Sequence, residues 1–185
     1  MVGPNLPLVR VVAGRLGGRT LVAPRGDTTR PTSDRVREAL FSILVSVAGA
    51  RVLDLFAGSG ALAIEALSRG ALHATLVDSS PAAVSAIRRN LAALQLEADV
   101  RRETALAFLG RAQAAARQYD LVFLDPPYRH VNVLERKLST ALAPVLGPDA
   151  RVVTESDRRD PLQLDLEILD QRRYGDTLIR IHGPR

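Results

Sequence analysis

The residues of this chain best suited to chemistry are Asp125-Pro126-Pro127-Tyr128. The apolar run Tyr119 to Leu124 precedes them and reads as a buried strand. A carboxylate, a proline-held carbonyl and an aromatic ring at a strand exit suit a flat base that carries an amino group. The lone pair of such an amine is delocalised into the ring, so it is a poor nucleophile. If the Asp125 carboxylate and the Pro126 carbonyl both accept its N–H bonds, the nitrogen can pyramidalise and aim its lone pair at an electrophile. The rings of Pro126 and Pro127 fix φ and hold that carbonyl in place, and Tyr128 can stack on the base. The same four residues could equally be a plain loop, because Pro-Pro ends strands. What lies opposite them decides.

Asp54-Leu55-Phe56-Ala57-Gly58-Ser59-Gly60 is the second such stretch. Its two glycines allow a tight turn and bring a ligand close to bare backbone at a helix start. The G-x-G-x-x-A pattern alone would also suit a dinucleotide. Asp54, just before the loop, would repel a pyrophosphate and attract the ammonium of an amino acid. Asp78 follows 24 residues later, a spacing that suits an acid accepting from ribose hydroxyls. An amino acid joined to a nucleoside without phosphate is S-adenosyl-L-methionine (AdoMet), which this pair of acids favours over NAD.

The elements that must position these residues follow in order. Leu8–Ala13 and Arg19–Ala23 flank the Gly-rich turn 14–18 and predict a β-hairpin. Thr32 or Ser33 can cap a helix whose buried face is Val36, Leu40, Phe41, Leu44 and Val47, ending near Ala48-Gly49-Ala50. Strands are expected at 52–55, 73–77, 98–102, 120–124 and 151–154. Helices are expected at 62–68, 81–93, 105–116 and 131–142. Two last strands, 164–169 and 177–181, leave no room for a helix between them. Five strand–helix units and a terminal hairpin imply an α/β fold: a doubly wound, mostly parallel sheet with a C-terminal antiparallel hairpin, plus a small N-terminal β-hairpin. Such sheets bind ligands at the carboxyl ends of their strands, where the strand order reverses. The first and fourth strands flank that point, so Gly58 and Asp125 are predicted to be neighbours.

Composition narrows the classes. The chain has 185 residues, 46% of them hydrophobic, and no Cys, which excludes disulfides and thiolate chemistry. His73, His130 and His182 show no ligand spacing, so no metal is expected. No apolar stretch is long enough for a bilayer and no secretory pattern opens the chain, so a cytoplasmic protein is expected. Residues 1–37 hold seven Arg and two Asp and carry the whole net charge of +5. A basic segment on a neutral body suggests a polyanion partner. Alternatively Arg is simply the preferred cation here, since the chain has a single Lys.

With these residues placed, the chain resembles the class I AdoMet-dependent methyltransferases. More narrowly it resembles the bacterial RsmD-like family, which methylates N2 of a guanine in 16S rRNA. The resemblance runs through Arg10–Arg19, Arg30-Pro31-Thr32-Ser33-Asp34-Arg35-Val36-Arg37-Glu38-Ala39-Leu40-Phe41, Asp54–Gly60, Glu65–Ala71 and Asp125–Tyr128. It implies a sheet order of three-two-one-four-five-seven-six. It implies cofactor contacts from Asp54, Phe56, Ala57, Gly58, Ser59, Gly60 and Asp78, and catalysis by Asp125, Pro126, Pro127 and Tyr128. Related enzymes often place Asp or Asn after the third strand; here Thr104 stands in for it. The implied substrate is 16S rRNA in the small ribosomal subunit, met by a basic extension (residues 1–30) on a methyltransferase domain (31–185); a monomer is the default expectation, since the sequence carries no signal of oligomeric state. Arg10, Arg15, Arg19, Arg30, Arg35 and the rest of the 30–37 segment are the expected RNA contacts. Other amino-methyltransferases share this loop, among them DNA adenine-N6 and protein glutamine-N5 enzymes. A non-catalytic nucleic-acid-binding module is the third reading.

Overall fold

The computed structural model describes residues 9–24, 33–126 and 131–184. Pro127, Tyr128 and Arg30 lie outside these residues. The chain opens with a short antiparallel pair, β1 (Val9–Arg10) and β2 (Thr20–Leu21), whose register sets Val9 opposite Leu21. Helix α1 (Asp34–Ile43) follows, capped by the Ser33 hydroxyl, which accepts from Val36 N at 3.3 Å. The sheet then takes β3 (Arg51–Leu55), β4 (His73–Asp78), β5 (Asp99–Arg102), β6 (Tyr119–Leu124), β7 (Leu146–Asp157), β8 (Glu167–Tyr174) and β9 (Thr177–Gly183). Between them run α2 (Ala61–Ser68), α3 (Pro81–Leu94), α4 (Ala105–Ala114) and α5 (Val131–Leu142).

The seven-stranded order is β5-β4-β3-β6-β7-β9-β8, parallel except where β9 pairs with β7 and β8. Counted within the sheet, this is the expected three-two-one-four-five-seven-six order. The order reverses between β3 and β6, so ligands have a crevice there. Arg51 and Asp120, at the amino ends of these two strands, hold each other by a bidentate pair: Arg51 Nη2 to Asp120 Oδ1 is 2.9 Å and Arg51 Nε to Oδ2 is 3.1 Å. One face of the sheet packs α1, α2, α3 and the hairpin around Leu40, Phe41, Ile64, Ile87, Leu91 and Phe123. The other face packs α4 and α5 around Phe108, Leu109, Leu138 and Leu142.

Several expected boundaries shift, each for a local reason. Helix α1 stops at Ile43, well before 48–50, because Val45 takes φ +62° and Ser46 N turns back onto Leu44 O at 2.7 Å. Val47 stays buried although it lies past the helix. β7 is not followed by a helix; the fifth helix of the alternation is α1, which precedes β3. β7 begins at Leu146 because Leu146 pairs with Tyr119 across a register shift, which draws the Gly147-Pro148-Asp149 stretch into the strand. β8 lies later than the apolar run 164–169. Its pairing with β9 across the Gly175 turn carries Asp170, Gln171, Arg172 and Arg173 into the strand.

Candidate active site

The loop after β3 owes its shape to three left-handed residues, Phe56 (φ +64°), Gly58 (φ +55°) and Gly60 (φ +78°). Gly60 is fixed by packing, since a Cβ there would lie 2.8 Å from Leu76 Cδ2. Gly58 differs: a Cβ would meet nothing within 4 Å, so its bare backbone faces open space. Gly60 is also the N-cap of α2 and has no side chain to cap with. Asp54 supplies the missing acceptor from the strand: its Oδ2 accepts from Ala63 N at 3.2 Å. Asp78 braces the loop from β4, accepting from Gly58 N at 2.9 Å on Oδ2 and from Ser80 N at 2.8 Å on Oδ1.

These two carboxylates differ in environment. Asp54 is only 3% exposed. Burial pushes its carboxyl up to about 7, with the Ala63 N–H pulling the other way and the Asp78 charge adding to the rise. A buried acid with this balance is eased by an adjacent cation. Asp78 is half-buried at the rim.

Leu55 pairs with Leu124 in register, so Phe56 and Asp125 leave adjacent strands at one level, about 5 Å apart across the sheet. Leu55 also pairs with Val77, which sets Asp78 at that level on the other side. The structure thus brings Asp54, the glycine loop, Asp78 and Asp125 to one carboxyl edge, as expected. Asp125 is half-buried and Pro126 is buried. Thr104 sits one strand further out, where its hydroxyl caps α4 by accepting from Ala107 N at 3.3 Å. Among the described residues, no group of three or more His, Asp or Glu could hold a metal, and no helix is long and apolar enough to cross a membrane.

The basic residues separate. Arg15, Arg19 and Arg35 are exposed. Arg10 pairs with Asp34, Nε to Oδ2 at 2.6 Å, and keeps 62% of its side chain exposed. Arg37 is a correction to the expected RNA-facing segment: its side chain is 1% exposed and turned inward. Its Nη2 donates to Arg10 O at 2.7 Å and to Asp34 Oδ1 at 2.5 Å. Burial lowers its pKa, opposed by Asp34, Glu65 and Glu155. The position spacing that puts Arg37 beside Val36, Leu40 and Phe41 on the buried face was the available signal.

Three residues that sequence reasoning gave no role tie the hairpin to this site. Glu65, fully buried on α2, accepts from Val12 N at 2.6 Å, Ala13 N at 3.0 Å and Arg69 Nε at 2.7 Å. Ser68, one turn on, accepts from Leu16 N at 3.0 Å and donates to Ala13 O at 2.6 Å. Asn90, 2% exposed on α3, exchanges two bonds with Val22: Val22 N to Oδ1 at 2.8 Å and Nδ2 to Val22 O at 3.0 Å. Its Nδ2 also donates to Ser59 O in the glycine loop at 2.9 Å. The signal was a polar side chain at a core position: Asn90 shares the buried face of α3 with Ile87, Leu91 and Leu94.

Comparison with known proteins shows what this chain is similar to. A family model described as conserved hypothetical protein 95 matches residues 9–183. The Escherichia coli protein named ribosomal RNA small subunit methyltransferase D is 42% identical over 135 residues, which is 69% of this chain and 67% of its own. Bacillus subtilis YlbH, provisionally named an rRNA methyltransferase, is 38% identical over 188 residues, covering 96% of this chain and all of its own. A solved Escherichia coli structure, yhhF, provisionally described as a methyltransferase, superposes with a TM-score of 0.82 at 32% identity over 96% of this chain and 98% of its own.

Proposed function

We propose, for a chain that belongs to the conserved hypothetical protein 95 family of RsmD-like class I methyltransferases, that it transfers a methyl group from AdoMet to the exocyclic N2 amine of a guanine in small-subunit 16S rRNA. One observation carries the reading: the Leu55–Leu124 register, by which the glycine loop and Asp125-Pro126 leave neighbouring strands at one level. The rRNA substrate is supported by the names of the relatives, and the guanine N2 by the family resemblance.

The residues present fit the cofactor. Gly58 opens its backbone onto free space, and Asp54 is a buried acid that an ammonium would ease. Asp54 would hold the amino-acid end, and the loop from Phe56 to Gly60 would lie against the methionine moiety. Asp78 would accept from the ribose with lone pairs that Gly58 N and Ser80 N leave free, and Thr104 would lie toward the adenine. Bound there, AdoMet supplies an electrophilic methyl on a sulfonium, a good leaving group. The chain then mainly positions the nucleophile. Asp125 and the Pro126 carbonyl accept the two amine hydrogens, which turns the nitrogen lone pair out of the ring plane. By the family resemblance, Pro127 and Tyr128 complete the loop, with the Tyr128 ring available to stack on a base drawn out of its helix. No strong base is required, because the nitrogen becomes far more acidic once methylated and its proton can leave through Asp125 or water.

The test is tritiated-methyl transfer onto unmethylated small subunits and onto naked rRNA, followed by nucleoside analysis. N2-methylguanosine is the expected product. N6-methyladenosine, or no transfer to either substrate, would overturn the reading.

A further inference from the structure

An open groove of about 390 Å³ lies outside the crevice described above, between α3 and the end of β5. Arg88, Arg89 and Arg102 line it, together with Pro81, Val84 and Ser85. All three arginines are exposed. Among the described residues none of the three forms an ion pair: Asp78, the register partner of Arg102, is taken up by Gly58 N and Ser80 N, and the acids of β5 and its exit pair with other arginines. Asp99 pairs with Arg101 and Arg117, and Glu103 pairs with Arg111. Three guanidinium groups therefore share one concavity with no described carboxylate in its lining. Keeping like charges together without a counter-charge is unfavourable, and a polyanion would relieve it.

The lining selects among polyanions. Among the described residues no aromatic ring faces the groove, so it offers a base nothing to stack on. It suits phosphate oxygens, which arginine meets with paired donors. Its place in the sheet makes it part of a larger surface. Arg102 is the register partner of Asp78, so it stands at the same carboxyl edge as the site. β5 is three strands from β6, about 15 Å at the usual strand spacing. Arg88 and Arg89 directly precede Asn90, which holds Val22 of the hairpin. The hairpin and α3 thus pack on the same face of the sheet and are joined at Asn90.

We infer that Arg88, Arg89 and Arg102 form a second phosphate-binding surface, which holds the RNA backbone on the β5 side of the site while Asp125 holds the target base. The inference rests on the proposed rRNA substrate. The hairpin and the groove then grip the RNA on the same side of the sheet, and sequence choice stays with the base site.

The decisive measurement is the salt dependence of binding to a 16S rRNA fragment, for the wild-type chain and for R88Q/R89Q/R102Q. A control, R158Q/R159Q/R173Q, removes the same charge from exposed positions in the C-terminal region of the chain. Each lost phosphate contact flattens the slope of log K against log salt by about 0.7 to 0.9, so the groove variant should lose about 2 to 3 from its slope. Its affinity should fall about 10- to 100-fold near physiological salt. Its KM for small subunits should rise in parallel while its AdoMet Kd, read by calorimetry, stays within about twofold. The control should keep the wild-type slope. An equal loss in both variants would assign the effect to net charge and overturn the inference. So would a raised KM for subunits with an unchanged RNA slope, which would point to an acidic protein partner instead. If the wild-type chain methylates rRNA and the groove variant matches it throughout, only the groove is wrong. If the wild-type chain neither binds nor methylates rRNA, the proposed function falls with it.

Discussion

At the scale of single residues, Asp54 and Asp125 do opposite things with a carboxylate. Asp54 is buried and caps α2 from a distance, and its ionised form is costly there. Asp54→Asn keeps an acceptor for Ala63 N and removes the charge. The ligand-free protein should therefore be stabilised at pH 8, by roughly 1–2 kcal/mol, in chemical denaturation. AdoMet should bind it more weakly, by about tenfold or more, because the ammonium loses its partner. A destabilised variant with unchanged AdoMet affinity would mean that Asp54 only caps the helix. For Asp125→Ala the expected pattern is reversed. AdoMet affinity should hold within about twofold, while kcat falls on the order of 10²–10³, the usual loss when one polar group that aligns a reacting atom is removed. Stopped single-turnover transfer against calorimetric binding separates the two. Near wild-type turnover would sink the amine-holding role.

At the scale of elements, the hairpin is a docked part of the core. Val9, Val11 and Leu21 are buried in the same cluster as α1 and α2, and Glu65 meets two of its backbone N–H groups. Glu65→Ala would leave those donors and Arg69 without their acceptor in a dry site. A loss of about 2–4 kcal/mol in unfolding free energy is expected. A loss below about 0.5 kcal/mol would mean that the hairpin holds by its apolar residues alone. It follows that cutting off the first thirty residues confounds RNA binding with unfolding, and that neutralising Arg15 and Arg19 is the cleaner experiment. These ties also mark what the sequence could not convey. The strand–helix alternation and the capping Ser33 were legible, because each rests on local periodicity or on a nearby hydroxyl, and the strand order came with the family resemblance; Thr104 was read as a cofactor contact, and its capping of α4 is what the structure adds. The acids Asp54, Asp78 and Asp125 were legible because strand ends are easy to find. Glu65 and Asn90 were not, since their partners lie 52 to 68 residues away along the chain. β8 was misplaced for a related reason: its polar residues are strand only because β9 pairs with them.

At the scale of the whole molecule, two buried groups pull acid stability in opposite directions. Burial, with the Arg180 charge adding, holds His182 down at about 4, beside Thr154 at 3.2 Å. Between pH 6.5 and about 4 the unfolded chain takes up this proton and the folded chain does not, so stability is lost as pH falls. Asp54 behaves inversely. Its folded pKa of about 7 lies above the unfolded value, so the folded chain holds the extra proton and stability is gained as pH falls from about 7 toward 4. Each effect is on the order of 2 kcal/mol across these windows, so they largely cancel. Asp54→Asn should therefore uncover an acid-side loss between pH 6.5 and 4, seen in urea midpoints. Asp54→Asn with a flat profile would contradict the assignment.

Asn90 gives the molecule one more property. Its single amide group closes the Val22 backbone like a neighbouring strand and holds the Ser59 carbonyl with the same nitrogen. Neither contact can let go without loosening the other. Amide hydrogen exchange should then report one shared opening, with Val22 and the glycine loop losing protection at the same free energy and the same denaturant dependence. In Asn90→Ala the two should part, the hairpin amide exchanging well before the loop, and a fluctuation that wild-type protein shows as one event would become two.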